Sequence, residues 1–172
     1  MRRVILGIVF IIIGSCVLVF FKYFYLRGLD EPSTTIEQAV AEAKENDPVR
    51  MTFGQLKQWS YRFPDKRTPP PEKLNLVKDK KIVIEGYQFV TNSASVVSSF
   101  ALSQFCYGCC FRGEPALNEF IEVTLPAGMQ PIRYAPAKPI RVTGKLEWGE
   151  KVEGGYTTSI YRMVVEDIGG KS

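Results

Sequence analysis

The sequence predicts a mainly β protein: a small five-stranded OB-like barrel, preceded by an N-terminal transmembrane helix and a short helical stalk. Three observations support this fold class. Residues 4–21 carry no charge, and apolar residues upstream of the proline-rich segment 64–71 have helical spacing. Downstream, five short segments alternate with a period of two, and two of them have a central glycine that lets a sheet coil. A β-sandwich of similar size fits the same pattern.

The first 25 residues are typical of a membrane anchor. An uncharged helix over residues 4–21 would be about 27 Å long, close to the roughly 30 Å hydrocarbon core of a bilayer. Arg2 and Arg3 precede it, and this pair favours an N-terminus in the cytoplasm. We therefore predict a single-pass signal anchor over 1–25 in the inner membrane, with the remaining domain in the periplasm.

Two alternatives compete with the uncleaved anchor. A cleaved signal peptide usually has a shorter apolar core and an A-x-A-like exit, and the sequence shows neither. The letters IGSC, ending at Cys16, resemble a lipobox, but residues 17–21 prolong the apolar span after it. As a small apolar residue within a transmembrane helix, Cys16 needs no further role.

Residues 26–49 predict a linker with one short helix, which Pro48 ends. The apolar positions of this helix are weak, which indicates a stalk and not a part of the core. The next segment, 51–61, adds a turn of helix with Phe53, Leu56 and Trp59 as packing residues. The prolines of 64–71 then exclude a central strand.

The domain itself is predicted to span residues 50–170. In order, its five strands are predicted at 80–90, 100–105, 120–125, 139–149 and 159–168. Loops or turns at 91–99, 127–138 and 150–158 separate most of them. The mid-strand glycines, Gly86 and Gly144, mark a kink or bulge.

Composition excludes several classes of function. The chain has no histidine, so it contains no Ser-His-Asp triad, no Cys-His pair and no HExxH zinc site. Three of its 22 Lys and Arg residues flank the apolar run, so the remainder nearly balances the 18 Asp and Glu. A nearly neutral domain argues against nucleic-acid binding. Five aromatic residues that could stack bases are therefore assigned to the core and its rim: Phe100, Phe105, Tyr107, Phe111 and Phe120.

Several residues follow one another in a recognisable order along the chain: Gly86, Tyr87, Cys109, Cys110, Phe111, Pro115, Asn118, Val123 and Gly144. This order resembles that of an uncharacterised bacterial family of exported or membrane-anchored single-domain OB-like proteins. The resemblance spans residues 50–168 and implies a fold and a compartment, but no reaction. Some members have a histidine two residues after the cysteine equivalent to Cys110, where this chain has Arg112, so a histidine-dependent metal site does not transfer.

The segment SQFCYGCCFRGEP places Cys106, Cys109 and Cys110 within five positions. In an oxidising compartment a disulfide among these three candidates would clamp a tight turn and leave one thiol over. Alternatively, the three thiolates with Glu114 could hold zinc or copper, although no cofactor is expected. In a third interpretation, Cys106 and Cys109 form an exchangeable pair, but no helix N-terminus is evident to lower a thiol pKa.

Three hypotheses of function follow. The first is a membrane-anchored, non-enzymatic binding or scaffold module outside the cytoplasm. It contacts an envelope or transporter protein through a rim of Tyr107, Phe111, Arg112 and Asn118. The second is a metal-handling protein that uses the cysteines as ligands, and the third is a thiol–disulfide exchange protein. Glu119 and Glu122 suggest no acid–base pair, since they are predicted to lie on the solvent face of a strand.

Overall fold

The computed structural model describes residues 35–90, 95–106 and 115–170. These residues are mainly β, as the sequence predicts. The helices are α1 (Ile36–Glu42), α2 (Phe53–Leu56) and a 3₁₀ helix (Glu72–Val77). The strands are β1 (Val49–Arg50), β2 (Lys81–Phe89), β3 (Val96–Val97), β4 (Ser99–Ser103), β5 (Phe120–Thr124), β6 (Ile132–Arg133), β7 (Pro139–Glu153) and β8 (Tyr156–Gly170).

The predicted anchor, residues 1–25, lies outside the described residues. Within the described ranges, none of the helices combines the length and the apolar character needed to cross a bilayer.

Helix α1 packs onto the domain, whereas the sequence predicts a stalk. It contacts β1 and the 3₁₀ helix, and Ile36 and Ala39 are buried in the core. These two apolar positions are enough to bury one side of the helix, because a helix of only seven residues has a single narrow apolar face. Thr35 caps the helix: its hydroxyl accepts from the Gln38 amide at 3.3 Å, and Gln38 Oε1 accepts from the Thr35 amide at 2.9 Å.

All five predicted strands are present, as β2, β4, β5, β7 and β8. Two predicted loops additionally contain the short strands β3 and β6, which pair with each other. The predicted turn at 150–158 is largely strand, since β7 and β8 continue to a two-residue turn at Gly154 and Gly155. Both glycines have positive φ, 59° and 84°, as a tight hairpin turn requires.

The main sheet has the order β1-β2-β4-β5-β8-β7, and β7 also pairs with β2. Following the pairs from β2 through β4, β5, β8 and β7 therefore leads back to β2. The β5–β8 pair is parallel, the other four of these pairs are antiparallel, and β1 is parallel to β2. Alternate residues of these strands form much of the core, including Ile82, Ile84, Leu102, Ile121, Val123, Val142, Leu146, Met163 and Val165.

The two mid-strand glycines allow strands to approach closely. A Cβ at Gly86 would lie 2.6 Å from the Ser103 carbonyl oxygen, and one at Gly144 would collide with the Val164 carbonyl oxygen. The β2–β7 register is regular through Gly86, so close approach to β4 explains this glycine better than the predicted bulge does. Gly144 does coincide with an irregularity, because the β7–β8 register shifts between Thr143 and Gly144.

Candidate functional site

The cysteine segment is described only at its edges. Cys106 follows β4 and is disulfide-bonded, and its partner lies outside the described residues. The other predicted ligands and rim residues also lie outside the described residues, apart from Asn118. They are Cys109, Cys110, Glu114, Tyr107, Phe111 and Arg112. In the described ranges, no three His, Cys, Asp or Glu side chains gather closely enough to hold a metal ion.

Both edges of this segment are held against the residues that follow α2. Asn118 Nδ2 donates to the Trp59 carbonyl oxygen at 2.9 Å, so this predicted rim residue fixes the backbone ahead of β5. The ammonium of Lys57 lies 3.1 Å from Glu119 Oε1 and 5.3 Å from the Phe105 ring centroid. The chain is therefore positioned on each side of the cysteine segment by the same short stretch.

A bulge in β7 shapes the neighbouring hairpin. Trp148 pairs with Tyr161, but the next pair is Lys151 with Ser159, so β7 has one extra residue there. Gly149 adopts φ 130° within the bulge, and its carbonyl oxygen accepts from Arg162 at 2.8 Å. Because bulges redirect side chains, the residues beyond the bulge can reach across to β5.

A cavity of about 480 Å³ lies where the β7–β8 hairpin meets β4 and β5. This volume falls within the range of roughly 300–1,000 Å³ that is usual for ligand sites. The lining combines seven aromatic or aliphatic residues with six polar or charged ones. It consists of Phe89, Val90, Ser99, Phe100, Ala101, Pro115, Leu117, Phe120, Glu122, Lys151, Glu153, Thr157 and Thr158.

Glu122 is the polar centre of the cavity. Its Oε1 lies 2.6 Å from Lys151 Nζ, and its Oε2 accepts from Ser159 Oγ at 2.8 Å. Burial raises the pKa of Glu122, but the hydrogen bonds from Lys151 and Ser159 outweigh it, so the pKa is lowered overall. The hydrogen bond to Glu122 in turn raises the pKa of Lys151 despite partial burial. Both groups are therefore charged at neutral pH.

The arrangement suits binding better than catalysis. Lys151 and Ser159 lie opposite each other, as in a Ser–Lys nucleophile pair. A lysine that activates serine must be neutral, however, and the raised pKa keeps Lys151 protonated. Ser159 is also buried and donates its hydroxyl hydrogen to Glu122. What the cavity offers a ligand is aromatic surface beside fixed charges.

We expect the substitution Glu122→Gln to lower the free energy of unfolding by roughly 1–2 kcal/mol at neutral pH, because hydrogen bonds to a partly buried charge stabilise by about that amount. The pKa of Glu122 is lower in the folded state than its ordinary value of 4.5. The stabilisation is therefore present above the unfolded-state pKa and is lost as the pH falls through the folded-state pKa. Urea titrations at falling pH measure this loss.

The control for this experiment is Glu147→Gln. The carboxylate of Glu147 is mostly exposed and lies 3.8 Å from Arg162 Nε, so its removal is expected to cost less than about 0.5 kcal/mol. Equal effects of the two substitutions at neutral pH would contradict the assigned role of Glu122.

Sequence reasoning missed this site. It placed Glu122 on the solvent face, whereas the side chain is only 27% exposed and paired with Lys151. The sequence-based prediction for Lys151, Glu153 and Thr157 is a turn. The alternating residues on both sides of the Gly-Gly pair are, however, a signal of a β-hairpin. The contact between Lys151 and Glu122 depends on the bulge in β7, and the local sequence does not predict that bulge.

No protein-family model matches this chain, and no curated protein matches it. Among solved structures, one similar chain is a crystal structure of a DUF3299 family protein from Pseudomonas aeruginosa PAO1. The two are 18% identical, the alignment covers 73% of this chain and 97% of that chain, and the TM-score is 0.46. That family is uncharacterised, so the similarity points to no reaction, ligand or partner.

Proposed function

We propose that this chain is a membrane-anchored extracytoplasmic binding module, and that the cavity beside the β7–β8 hairpin accepts a segment of an envelope or transporter protein. The observation that carries the proposal is the cavity itself, in which aromatic and aliphatic residues lie beside two carboxylates, Glu122 and Glu153, that are both ion-paired with Lys151. Binding sites typically combine apolar surface with polar groups held in fixed positions. The uncharged segment 4–21 supports an anchor in the inner membrane with the N-terminus in the cytoplasm.

The same proposal includes a specific architecture for the β domain, a five-stranded OB-like barrel over residues 50–170. Its support is the cycle of pairs from β2 through β4, β5, β8 and β7 back to β2, with one parallel pair. A sandwich would leave edge strands between its two sheets, and this cycle favours a barrel over it. OB barrels bind ligands on one sheet face and its adjoining loops, where a hairpin and a neighbouring strand can share a site.

In this proposal the cysteine segment is a structural clamp. Cys106 is disulfide-bonded, and a cysteine in a disulfide has no thiolate to offer a metal. Pro115 and Leu117, just beyond the segment, line the cavity. A covalent clamp would therefore hold one wall of the binding site in place. A disulfide at Cys106 is also what the exchange hypothesis expects of an oxidised Cys106–Cys109 pair, whereas the metal hypothesis requires that bond to be reduced.

Photocrosslinking in bacterial cells tests the proposed function. The full chain carries p-benzoylphenylalanine in place of Phe89 or Phe120, which line the cavity. We expect both positions to give light-dependent adducts with a membrane-associated protein. The matched control is the same replacement at Val164, which is exposed on β8 away from the lining and should give no such adduct. Adducts from Val164 alone, or from none of the three positions, would contradict the proposal.

A further inference from the structure

The cavity carries more negative than positive charge beside its aromatic residues. Among the described lining residues, Glu122 and Glu153 are the acids and Lys151 is the base, while Arg162, opposite Glu122 in the β5–β8 register, lies outside the lining. Three phenylalanines, Phe89, Phe100 and Phe120, lie in the same lining. Aromatic rings and carboxylates both attract ammonium and guanidinium groups, so the composition of this lining favours a cationic group over an anionic one.

Lys151 shows where a cation fits. Its ammonium lies 2.6 Å from Glu122 Oε1 and 3.2 Å from Glu153 Oε1. The two carboxylates differ in burial, since the side chain of Glu122 is 27% exposed and that of Glu153 is 61% exposed. Glu122 also accepts a hydrogen bond from the Ser159 hydroxyl, whereas Glu153 is the more accessible of the two carboxylates. An anion approaching Lys151 would have to pass close to both carboxylates and would be repelled by them.

Building on the proposed function, we infer that the partner segment presents a lysine or arginine side chain beside apolar residues, and that Lys151 is a resident cation competing for the carboxylate of Glu153. The apolar residues of the segment would pack on the phenylalanine lining, while its cation pairs with Glu153. Binding then exchanges the Lys151–Glu153 ion pair for one between Glu153 and the partner, and the partly buried pair between Lys151 and Glu122 can persist.

The test uses the purified full chain in non-ionic detergent and three labelled five-residue peptides, in which phenylalanine alternates with lysine, glutamate or glutamine. We expect the lysine peptide to bind most tightly. Lys151→Met should tighten its binding about fivefold and Glu153→Gln should weaken it about fivefold, which are the sizes expected for partly exposed ion pairs. Lys145→Met is the matched control, because Lys145 is an exposed lysine of the same strand outside the lining, and it should change affinity less than twofold, as for a surface pair of little effect.

Changes in peptide affinity opposite to those expected would overturn the inference. If Lys151→Met weakens binding and the glutamate peptide binds best, Lys151 is an anion receptor. If the glutamine peptide binds as tightly as the lysine peptide, charge does not select the ligand. If none of the three peptides binds, the inference is overturned as well, because the lysine peptide is expected to bind. The exposed substitution Glu153→Gln keeps the test valid even if Lys151→Met is unstable. Failure of the inference is distinguishable from failure of the proposed function, because crosslinks from Phe89 and Phe120 report occupancy of the cavity whatever the ligand charge.

Discussion

Replacement of Trp59 by alanine is expected to lower the free energy of unfolding by about 3–5 kcal/mol, the usual range for deleting a fully packed large aromatic residue. Trp59 is 2% exposed, and its ring meets those of Tyr61 and Tyr161 edge-on at centroid distances of 5.6 and 5.4 Å. Its indole nitrogen also donates to the Thr68 carbonyl oxygen at 2.9 Å. The substitution therefore leaves a cavity and an unpaired carbonyl oxygen.

The measurement is a urea titration of the full chain in detergent, followed by far-ultraviolet circular dichroism. Trp148→Ala is the matched control, because Trp148 is only partly buried at the edge of the core, and about 1 kcal/mol is expected for it. A cost for Trp59→Ala no greater than that for Trp148→Ala would show that this aromatic cluster does not stabilise the fold.

The substitution Gly144→Ala has the second largest expected effect, a loss of about 1–3 kcal/mol from overpacking. The new Cβ would collide with the Val164 backbone carbonyl oxygen and lie 3.1 Å from Met163 Cγ. Since the obstacle is backbone in the partner strand, the side chains cannot simply rotate away. Relief requires β7 and β8 to separate, so pairing along the hairpin should weaken as well.

Gly169→Ala is the control for this prediction. Gly169 lies in β8, pairs with Arg141, and has its nearest neighbouring atom, Arg141 Cβ, 4.0 Å from the position of an added Cβ. An ordinary van der Waals contact results, and the expected change in stability is below about 0.5 kcal/mol. Thermal unfolding of both variants separates the two cases. If the two variants unfold at the same temperature, β7 and β8 are farther apart at Gly144 than the structure shows.

The candidate site shows where sequence reasoning is weak. The three clustered cysteines can be recognised in the sequence as a candidate site, because thiol chemistry depends on local spacing. The contact between Glu122 and Lys151 joins residues 29 positions apart and depends on a bulge and a hairpin. Glutamate and lysine on alternating strands are common surface residues, so neither position looks unusual by itself. A charge of this kind becomes informative only when its partner is known.

Local periodicity determined the five longer strands of this protein. Alternation placed β2, β4, β5, β7 and β8 close to their observed positions, because one buried face imposes a period of two whatever the strand pairs with. Glycines marked the positions where strands come closest. The helical spacing of Phe53 and Leu56 likewise predicted α2, whose apolar residues are buried.

Tertiary structure alone decided which strands pair and what lies between them. The parallel β5–β8 pair and the β2–β7 pair join residues far apart in sequence, and their hydrogen bonds run through backbone atoms that every residue shares. The sequence therefore carries little local record of them. The burial of α1 and the cavity beside the hairpin follow from the same long-range pairing, because both depend on surfaces that exist only once the strands have assembled.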